Sequence, residues 1–469
     1  MTAELTKARL RRGCTSLDAL RNHINEGPDH NSQDDTTDVS AALHPRWIRV
    51  NTLRTSLEDL RHVGLSDYAR KLDLHDIKAA RKKHKVLYFD ETVPDLIAIP
   101  SNIDVTGETL YKEGKIILQD KASCFPALLL DPGTIDGDVI DACAAPGNKT
   151  THLVALISLA KSVNGGPRLD RKIFACEKDV LRSETLTRMV KIAGANHLVR
   201  VKAKQDFSRL DPTSREFANV TCLLLDPSCS GSGIIGRDEV TAEIHLPKAN
   251  TNDDKLPIGK KRKRDDDVMQ TKIKVTESTS ADQEVEQALT DTNETKLKTR
   301  LTALSSFQLR LLQHAMSFPA AQRITYSTCS IHNEENEHVV VKALKSDIAR
   351  TRGWSILKRR DQVEGLKNWK RRGKSDAVAE MLEHEASANT DLNVEEIADA
   401  CIRCEKNSEE GTMGFFVAGF VRDPDVSQVT PSWSRHLGNV ASTNGQHQEE
   451  ISSTDSDDDE WNGFGDEDG

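Results

Sequence analysis

The hydrophobic pattern of this chain changes along its length. Between residues 42 and 115, short apolar runs such as "RWIRV", "KVLYF" and "DLIAIP" predict strands, and "SLEDLRHVGL" predicts a helix. From residue 116 onward, continuously apolar strands such as "GDVIDAC", "RKIFACE", "VTCLLLD" and "RITYSTC" alternate with helical patterns such as "LRSETLTRMVKIAG". Such alternation favours a mostly parallel sheet covered on both faces. We expect a doubly wound, Rossmann-like α/β fold preceded by a small α+β subdomain.

The same pattern divides the chain into segments. An N-terminal extension covers residues 1–41, the α+β subdomain 42–115, and the α/β domain 116–425. Residues 237–298 combine alternating charge with few aromatics and no amphipathic period, which predicts a disordered insertion within the α/β domain. Residues 426–469 are predicted to be a disordered acidic tail, because such a block repels itself and lacks apolar content.

Charge is distributed unevenly. The formal charge is -10, yet residues 449–469 alone hold ten acids and no Lys or Arg, so the rest of the chain sums to -10 + 10 = 0. The acidic tail either solvates the protein or binds a partner. Within the insertion, "KKRKR" at 260–264 is either a nuclear import signal or an ordinary linker charge run.

Composition limits the compartment. The nine cysteines are odd in number without framework spacing, and "MTAELTKARLRRG" lacks an apolar signal segment. No apolar run approaches the ~20 residues that cross a bilayer. We expect a soluble intracellular protein of two or three units with no membrane partner.

Candidate chemistry lies where the predicted strands end, because ligands of doubly wound folds bind there. The loop in "VIDACAAPGNKTTHL" allows close backbone approach and precedes a helix N-terminus, but it is neither a P-loop nor a GxGxxG fingerprint. Glu177, Asp206 and Asp226 follow the next strands. Each acid taken singly is a loop carboxylate or helix cap; in register they favour an adenosyl ligand with a short charged tail, S-adenosylmethionine.

Three motifs carry a family resemblance. "DACAAPGNKT", "LLLDPSCSGSG" and "YSTCSIHNEENE" resemble the signatures of the Sun/Fmu family of RNA (cytosine-5) methyltransferases, across about residues 45–422. "PRWIRVNTLRT" and "ILQDKASCFPALLLDP" resemble the eukaryotic branch that modifies large-subunit ribosomal RNA. The resemblance implies a Rossmann-like methyltransferase domain that binds S-adenosylmethionine and uses no metal. The implied cofactor contacts are Cys143, Ala144, Ala145, Pro146, Gly147, Asn148, Lys149, Glu177, Arg182, Asp206 and Asp226.

The resemblance also implies catalytic roles, with Cys329 as nucleophile, Cys229 as its helper and Asp226 facing the target base. Carbon-5 of cytosine is a poor nucleophile, and a thiolate adding at carbon-6 makes it electron rich. An acid hydrogen-bonded at ring nitrogen 3 and the amino group stabilises the developing charge. The carbon-5 proton must leave before the cysteine can depart, and Cys229 sits where a base could act.

The other cysteines have a plainer interpretation. Cys14, Cys124, Cys143, Cys176 and Cys222 lie in apolar or loop settings typical of small buried thiols. "CIRC" at 401–404 has the spacing of half a zinc site, but no second pair accompanies it, so we expect no metal.

RNA binding predicts basic surfaces. Residues 341–374 contain twelve Lys or Arg against three acids, with Trp354 and Trp369 interleaved, and residues 69–85 form a second basic segment. We expect both to line an RNA channel, with the indole rings stacking on bases and the target base flipped out of any duplex. The alternative is a solvated helical face with two core tryptophans.

The leading interpretation is an S-adenosylmethionine-dependent enzyme that makes 5-methylcytosine in large-subunit ribosomal RNA. Its expected partners are ribosomal RNA and a pre-ribosomal particle, not DNA, in the nucleus and nucleolus. One alternative is an RNA-binding ribosome assembly factor whose catalysis is dispensable. Another is a DNA cytosine-5 methyltransferase; those enzymes carry the nucleophile in a Pro-Cys pair, whereas Ser228 separates Pro227 from Cys229 here.

Overall fold

The computed structural model describes residues 44–80, 84–160, 171–234, 281–384 and 392–422. Its strands are β1 (Arg46–Val50), β2 (Ala69–Lys71), β3 (Val86–Phe89), β4 (Leu96–Ile99), β5 (Ile116–Leu118), β6 (Asp138–Asp141), β7 (Ile173–Glu177), β8 (Val199–Ala203), β9 (Val220–Leu225), β10 (Arg323–Thr328), β11 (Trp354–Ile356), β12 (Ile402–Cys404) and β13 (Phe415–Arg422). Its helices are α1 (Leu57–Asp59), α2 (Leu74–Lys78), α3 (Thr109–Lys112), α4 (Lys121–Leu130), α5 (Asn148–Leu159), α6 (Val180–Ala193), α7 (Ala281–Met316), α8 (Glu337–Lys345), α9 (Asp347–Arg352), α10 (Glu364–Lys367), α11 (Ser375–His384) and α12 (Val394–Ala400).

The first five strands form a small sheet in the order β2-β3-β4-β1-β5. β1 pairs antiparallel with both β4 and β5, and β3 pairs antiparallel with β4, while β2 is parallel to β3. Helix α1 begins at Ser56, whose side chain and Asp59 form a capping box. This unit is the predicted α+β subdomain. Strand β2 and helix α2 lie within the basic segment 69–85, for which the sequence predicted no strand or helix.

The larger sheet has the order β11-β13-β10-β9-β6-β7-β8, with β12 paired to β13. Strands β6 to β10 are parallel, and β13 runs antiparallel beside β10. The chain moves outward from β6 to β8 and then returns to the other side of β6 with β9 and β10. This reversal opens a crevice beyond the carboxyl ends of β6 and β9, where doubly wound folds bind their ligands. The predicted α/β class is confirmed.

Both faces of the larger sheet are covered, which explains why its strands read as continuous apolar runs. Every residue of β6, β7 and β9 is buried. One apolar cluster packs one face with residues from α7, α8 and α11, and another packs the opposite face with residues from α4, α5 and α6. The strand ends are therefore fixed by a packed core on each side.

A buried arginine links the small sheet to helix α5. Arg49 of β1 is 1% exposed. Its Nε donates to Gln119 Oε1 at 2.7 Å, and its Nη2 donates to Thr151 Oγ1 at 2.9 Å and to the carbonyl of Asn148 at 3.2 Å. The small subdomain is thus hydrogen-bonded to the first turn of α5, which begins within the predicted cofactor loop.

Two expectations need correction. Residues 281–298 of the predicted disordered insertion are helical, because α7 spans Ala281–Met316. Alternating Glu, Gln, Lys and Leu suit an exposed helix as well as a disordered segment. Trp354 and Trp369 do not present rings for RNA stacking: they are 6% and 5% exposed, and their indole N–H groups donate to the carbonyls of Met316 and Arg403. The alternative of core tryptophans is correct.

Several expectations fall outside the described residues. These are the N-terminal extension, the rest of the insertion with "KKRKR", and the acidic tail. Among the described helices, none combines the length and the apolar composition that a membrane crossing needs.

Candidate active site

A cavity of about 330 Å³ opens at the carboxyl edge of the larger sheet. Seven of the predicted site residues line it: Cys143, Glu177, Arg182, Asp206, Asp226, Cys229 and Cys329. Arg182 lies on α6 and the other six come from the ends of β6, β7, β8, β9 and β10, so the strand-end expectation brought together side chains that are far apart in sequence. The wall also contains residues that the sequence did not predict as site residues: Ala142, Cys176, Lys178, Gln205, Phe207, Pro227, Ser228, Phe307 and Leu311.

The loop after β6 has a mostly structural form. Ala144 and Ala145 are buried, and Gly147 has φ +112° at the start of α5, a left-handed conformation that favours glycine. Asn148 donates from Nδ2 to the carbonyl of Leu118 at 3.1 Å. Residues 144–149 are absent from the cavity lining of the described chain, so their role as direct cofactor contacts stays a prediction.

Glu177 forms one side of the cavity. Its carboxylate is 4% exposed, and Oε1 accepts from the backbone N–H of Asp179 at 2.9 Å. Arg182 Nη1 lies 3.6 Å from Oε2, and its Nη2 donates to the carbonyl of Ala145 at 2.8 Å. A single guanidinium therefore connects the loop after β6 with the carboxylate at the end of β7.

Asp206 serves as a helix cap. Its Oδ1 accepts from the N–H and the hydroxyl of Ser208 at 2.9 and 2.8 Å. Slight burial opposes its ionised form, but these hydrogen bonds outweigh that effect and lower the pKa of Asp206. The group is thus a fixed anion at the cavity wall at neutral pH.

Asp226 is held between a cation and a hydroxyl. Ser327 Oγ donates to its Oδ1 at 2.7 Å, and Lys149 Nζ lies 2.7 Å from its Oδ2. Lys149 also donates to Ser123 Oγ at 2.9 Å. Burial alone would lower the pKa of Lys149, but the Asp226 carboxylate outweighs it and leaves that pKa raised. Lys149, predicted as part of a cofactor loop, thus belongs to the group that orients Asp226.

The two thiols of "LLLDPSCSGSG" and "YSTCSIHNEENE" lie next to each other in the cavity. Cys229 Sγ and Cys329 Sγ are 3.0 Å apart, on the loops that follow the adjacent parallel strands β9 and β10. The hydrogen bond to Cys329, together with burial, raises the pKa of Cys229. Cys229 is therefore a protonated thiol at neutral pH, and either sulfur can be the donor of this hydrogen bond.

Close packing of the two loops depends on glycine. The backbone N–H of Gly233 donates to the carbonyl of Cys329 at 2.8 Å. A Cβ at Gly233 would collide with the carbonyl of Gly414 and lie 2.8 Å from that of Cys329. The "SGSG" stretch after Cys229 is thus needed to bring the loops into contact.

Five other cysteines are buried thiols. Burial raises the pKa of Cys124 and Cys176 to about 12 and that of Cys222 to about 11. Cys401 and Cys404 are buried as well. Among the described residues, no group of three or more His, Cys, Asp or Glu side chains could hold a metal ion.

Comparison with known proteins places these motifs. Residues 44–119 match the ferredoxin-like domain of NOL1/NOP2/Sun domain family member 5, and residues 127–281 match the 16S rRNA methyltransferase RsmB/F family. Both matches agree with the resemblance of the three motifs to the Sun/Fmu family, to which this chain is similar. The first match covers the small sheet, and the second contains the strand ends that carry Glu177, Asp206, Asp226 and Cys229.

Curated members of the family are similar along most of this chain. A 25S rRNA (cytosine-C(5))-methyltransferase, rcm1, of Schizosaccharomyces pombe is 36% identical over 82% of this chain and 65% of its own length. A 28S rRNA (cytosine-C(5))-methyltransferase of Mus musculus is 34% identical over 74% and 59%. A 25S rRNA (cytosine-C(5))-methyltransferase, NSUN5, of Arabidopsis thaliana is 32% identical over 71% and 45%. This chain therefore spans less than two thirds of the length of these relatives.

A solved structure of a methyltransferase homologue from Pyrococcus horikoshii also resembles this chain. The TM-score is 0.48 at 20% identity, over 90% of this chain and 99% of that one.

Proposed function

We propose that this chain transfers a methyl group from S-adenosylmethionine to carbon-5 of a cytosine in RNA, through a covalent bond between Cys329 and the base. The observation that carries the proposal is the pair of thiols 3.0 Å apart in the same cavity as Asp226. The names of the curated relatives support large-subunit ribosomal RNA as the substrate class.

The cavity suits the cofactor chemically. Small-molecule sites commonly measure ~300–1,000 Å³, and this one holds about 330 Å³. The Glu177 carboxylate can accept hydrogen bonds from ribose hydroxyls, and Phe207 and Leu311 offer an apolar wall for a flat base. When bound, S-adenosylmethionine supplies an electrophilic methyl group.

Cys329 would begin the reaction as a thiolate. Its sulfur forms a bond to carbon-6 of the cytosine, and the electron pair of the 5,6 double bond moves onto the ring, which makes carbon-5 nucleophilic. Asp226, fixed by Lys149 and Ser327, would hydrogen-bond ring nitrogen 3 and the amino group as charge develops there.

Cys229 would act after methylation. Before the reaction its pKa is raised chiefly by the hydrogen bond to Cys329. Once Cys329 is bonded to carbon-6, its sulfur is a neutral thioether and that cause disappears, so Cys229 can release its proton to solvent and become a base. It then takes the carbon-5 proton, the 5,6 double bond re-forms, and the bond between carbon-6 and Cys329 breaks.

The partners follow from the substrate. We infer contact with ribosomal RNA within a pre-ribosomal particle, and a nuclear, nucleolar location supported by the rRNA-modifying relatives and "KKRKR". Residues Arg70, Lys71 and Lys85 in the small subdomain are exposed or half-exposed cations that remain available to phosphates.

Methyl transfer by the purified protein tests the proposal. Wild type and Cys329→Ala are incubated with methyl-labelled S-adenosylmethionine and either large-subunit rRNA fragments or DNA of the same sequence. We expect label at carbon-5 of cytosine in RNA with wild type only. Binding of RNA without transfer would favour an assembly factor, and labelling of DNA in preference to RNA would favour a DNA enzyme; either result contradicts the proposal.

A further inference from the structure

The two thiols lie on separate loops, and two consecutive buried residues reach both of them. Glu335 and Asn336, from "HNEENE", are each 0% exposed. Neither lines the cavity of the described chain, so neither is placed to touch the base or the cofactor. Their side-chain polar groups form hydrogen bonds within the protein, to the segments that flank the two cysteines.

Glu335 holds the loop of Cys229. Its Oε1 accepts from the backbone N–H of Ser230 at 2.9 Å and from Gln308 Nε2 at 2.9 Å. Gln308 Nε2 also donates to the carbonyl of Ser228 at 3.1 Å. The peptide groups on both sides of Cys229 are therefore tied to one buried pair of side chains.

Asn336 holds the loop of Cys329 in the same way. Its Oδ1 accepts from Thr328 Oγ1 at 2.6 Å, and its Nδ2 donates to the carbonyl of Ser330 at 3.0 Å. These are the two chain neighbours of Cys329. One amide side chain thus spans the nucleophile loop from one flank to the other.

The base of this clamp is itself fixed. Tyr326 donates from its hydroxyl to the carbonyl of Glu335 at 2.5 Å and to Gln308 Oε1 at 3.1 Å. The next residue, Glu337, is 0% exposed and forms a two-point ion pair with Arg403. Buried, fully bonded networks of this kind define one geometry, because any displacement leaves a polar group unpaired.

We propose that Glu335 and Asn336 are positioning residues with separate tasks, a proposal that rests on the function proposed above. Asn336 sets Cys329 for addition to carbon-6, and Glu335 sets Cys229 for removal of the carbon-5 proton. Because each residue reaches only one thiol loop by its side chain, loss of one side chain disturbs one half of the reaction.

The test measures the two halves separately. Formation and decay of the protein–RNA adduct are followed on denaturing gels after mixing enzyme, RNA and S-adenosylmethionine. Loss of one buried hydrogen-bond partner is expected to lower the rate of the affected step by roughly ten- to a hundredfold. Asn336→Ala is expected to slow adduct formation by that factor, whereas Glu335→Ala forms the adduct at near wild-type rate and releases it that much more slowly.

Two controls isolate positioning from charge and from general damage. Glu335→Gln keeps an oxygen that can accept from both Ser230 and Gln308, so it is expected to restore wild-type release. Glu334→Gln changes the exposed neighbour and leaves both steps unchanged. Thermal unfolding and S-adenosylmethionine binding report whether each variant is folded.

Near-isosteric variants carry the test if the alanine variants do not fold. Thr328→Val removes the hydroxyl that Asn336 accepts from, and Gln308→Met removes the amide shared by Ser228 and Glu335. They are expected to slow formation and release, respectively. The proposal would be overturned if Asn336→Ala and Glu335→Ala slowed adduct formation equally. It would also be overturned if Thr328→Val and Gln308→Met did so, or if the variants changed neither formation nor release. Wild type that forms no adduct at all would instead overturn the proposed function, so the two failures are distinguishable.

Discussion

At the scale of single residues, position decides what a thiol can do. Burial keeps Cys124, Cys176 and Cys222 protonated, because a thiolate in an apolar interior is costly. Cys176 reaches the same cavity but is buried, whereas Cys229 and Cys329 are half-buried on loops beside Asp226. The same contrast separates the carboxylates: Asp206 is a solvated helix cap, whereas Glu177 is buried and points its second oxygen towards Arg182.

The Glu177 carboxylate gives a residue-scale prediction. Glu177→Ala is expected to weaken S-adenosylmethionine binding, because charge-assisted hydrogen bonds of ~1.5 to 3 kcal/mol to the ribose are lost, which is roughly ten- to a hundredfold in affinity. Isothermal calorimetry on the folded variant measures this directly. Glu184→Ala, an exposed acid on α6, is the matched control. An unchanged dissociation constant for Glu177→Ala would remove this residue from the cofactor site.

Asp141 predicts a pH dependence of stability. Burial raises its pKa from 3.8 to about 6, while Thr150 Oγ1 donates to its Oδ2 at 2.7 Å. The folded state therefore holds the proton more tightly than the unfolded state. This contribution to stability is complete below about pH 4 and is lost as the pH rises through 6.

Asp141→Asn imitates the protonated carboxyl at every pH. Relative to wild type, its free energy of unfolding should gain about 2.4 kcal/mol between pH 4 and pH 7.5, since each pKa unit is worth about 1.4 kcal/mol and the unfolded carboxyl has already begun to ionise at pH 4. Denaturant titrations at the two pH values provide the measurement. The same difference between variant and wild type at both values would show that Asp141 does not titrate as stated.

At the scale of elements, the sequence predicted the parallel strands β6, β7, β9 and β10 and the positions of their ends. A fully buried strand such as β9 carries a short apolar run, and the chemistry follows it directly. The clamp of Glu335 and Asn336 could not be predicted, because "NEEN" reads as exposed polar sequence until the fold buries it. The expectation that Trp354 and Trp369 stack on RNA bases was wrong for a related reason. Basic neighbours in sequence do not show whether an indole ring faces solvent or the core.

The segment before α7 gives a prediction at this scale. Residues 295–300 of α7 are exposed and Leu301 is the first buried side chain among its described residues. Replacing residues 237–280 with a Gly/Ser linker of about a dozen residues should leave methyl transfer to RNA within about threefold of wild type. Loss of activity in a folded deletion variant would place this segment in the RNA site.

The link between the small sheet and α5 can be tested as well. Arg49→Met removes the guanidinium that joins β1 to the first turn of α5. We expect about tenfold weaker S-adenosylmethionine binding, because the loop before α5 loses its support while its own side chains remain. Arg46→Met is the matched control, since Arg46 reaches only Ser101 and Asp104 in the small subdomain. Equal affinities for the two variants would contradict a role for Arg49 in ordering the loop.

At the scale of the whole molecule, the parts converge on one edge of one sheet. The small subdomain is hydrogen-bonded to α5, a cavity opens at the carboxyl edge of the larger sheet, and the loops after β9 and β10 bring two thiols together. The fold class and the family resemblance were accessible from the sequence, because they depend on strand periodicity and local motifs. The distance between Cys229 and Cys329 was not, because it depends on packing between loops a hundred positions apart.

The central claim is that Cys329 forms the bond to the base and Cys229 permits its release. A denaturing gel of each alanine variant, after incubation with RNA and S-adenosylmethionine, tests it most directly, since a covalent adduct survives denaturation and migrates slowly. We expect no adduct with Cys329→Ala and an accumulated adduct with Cys229→Ala. An adduct with Cys329→Ala and none with Cys229→Ala would reverse the two roles and contradict the mechanism.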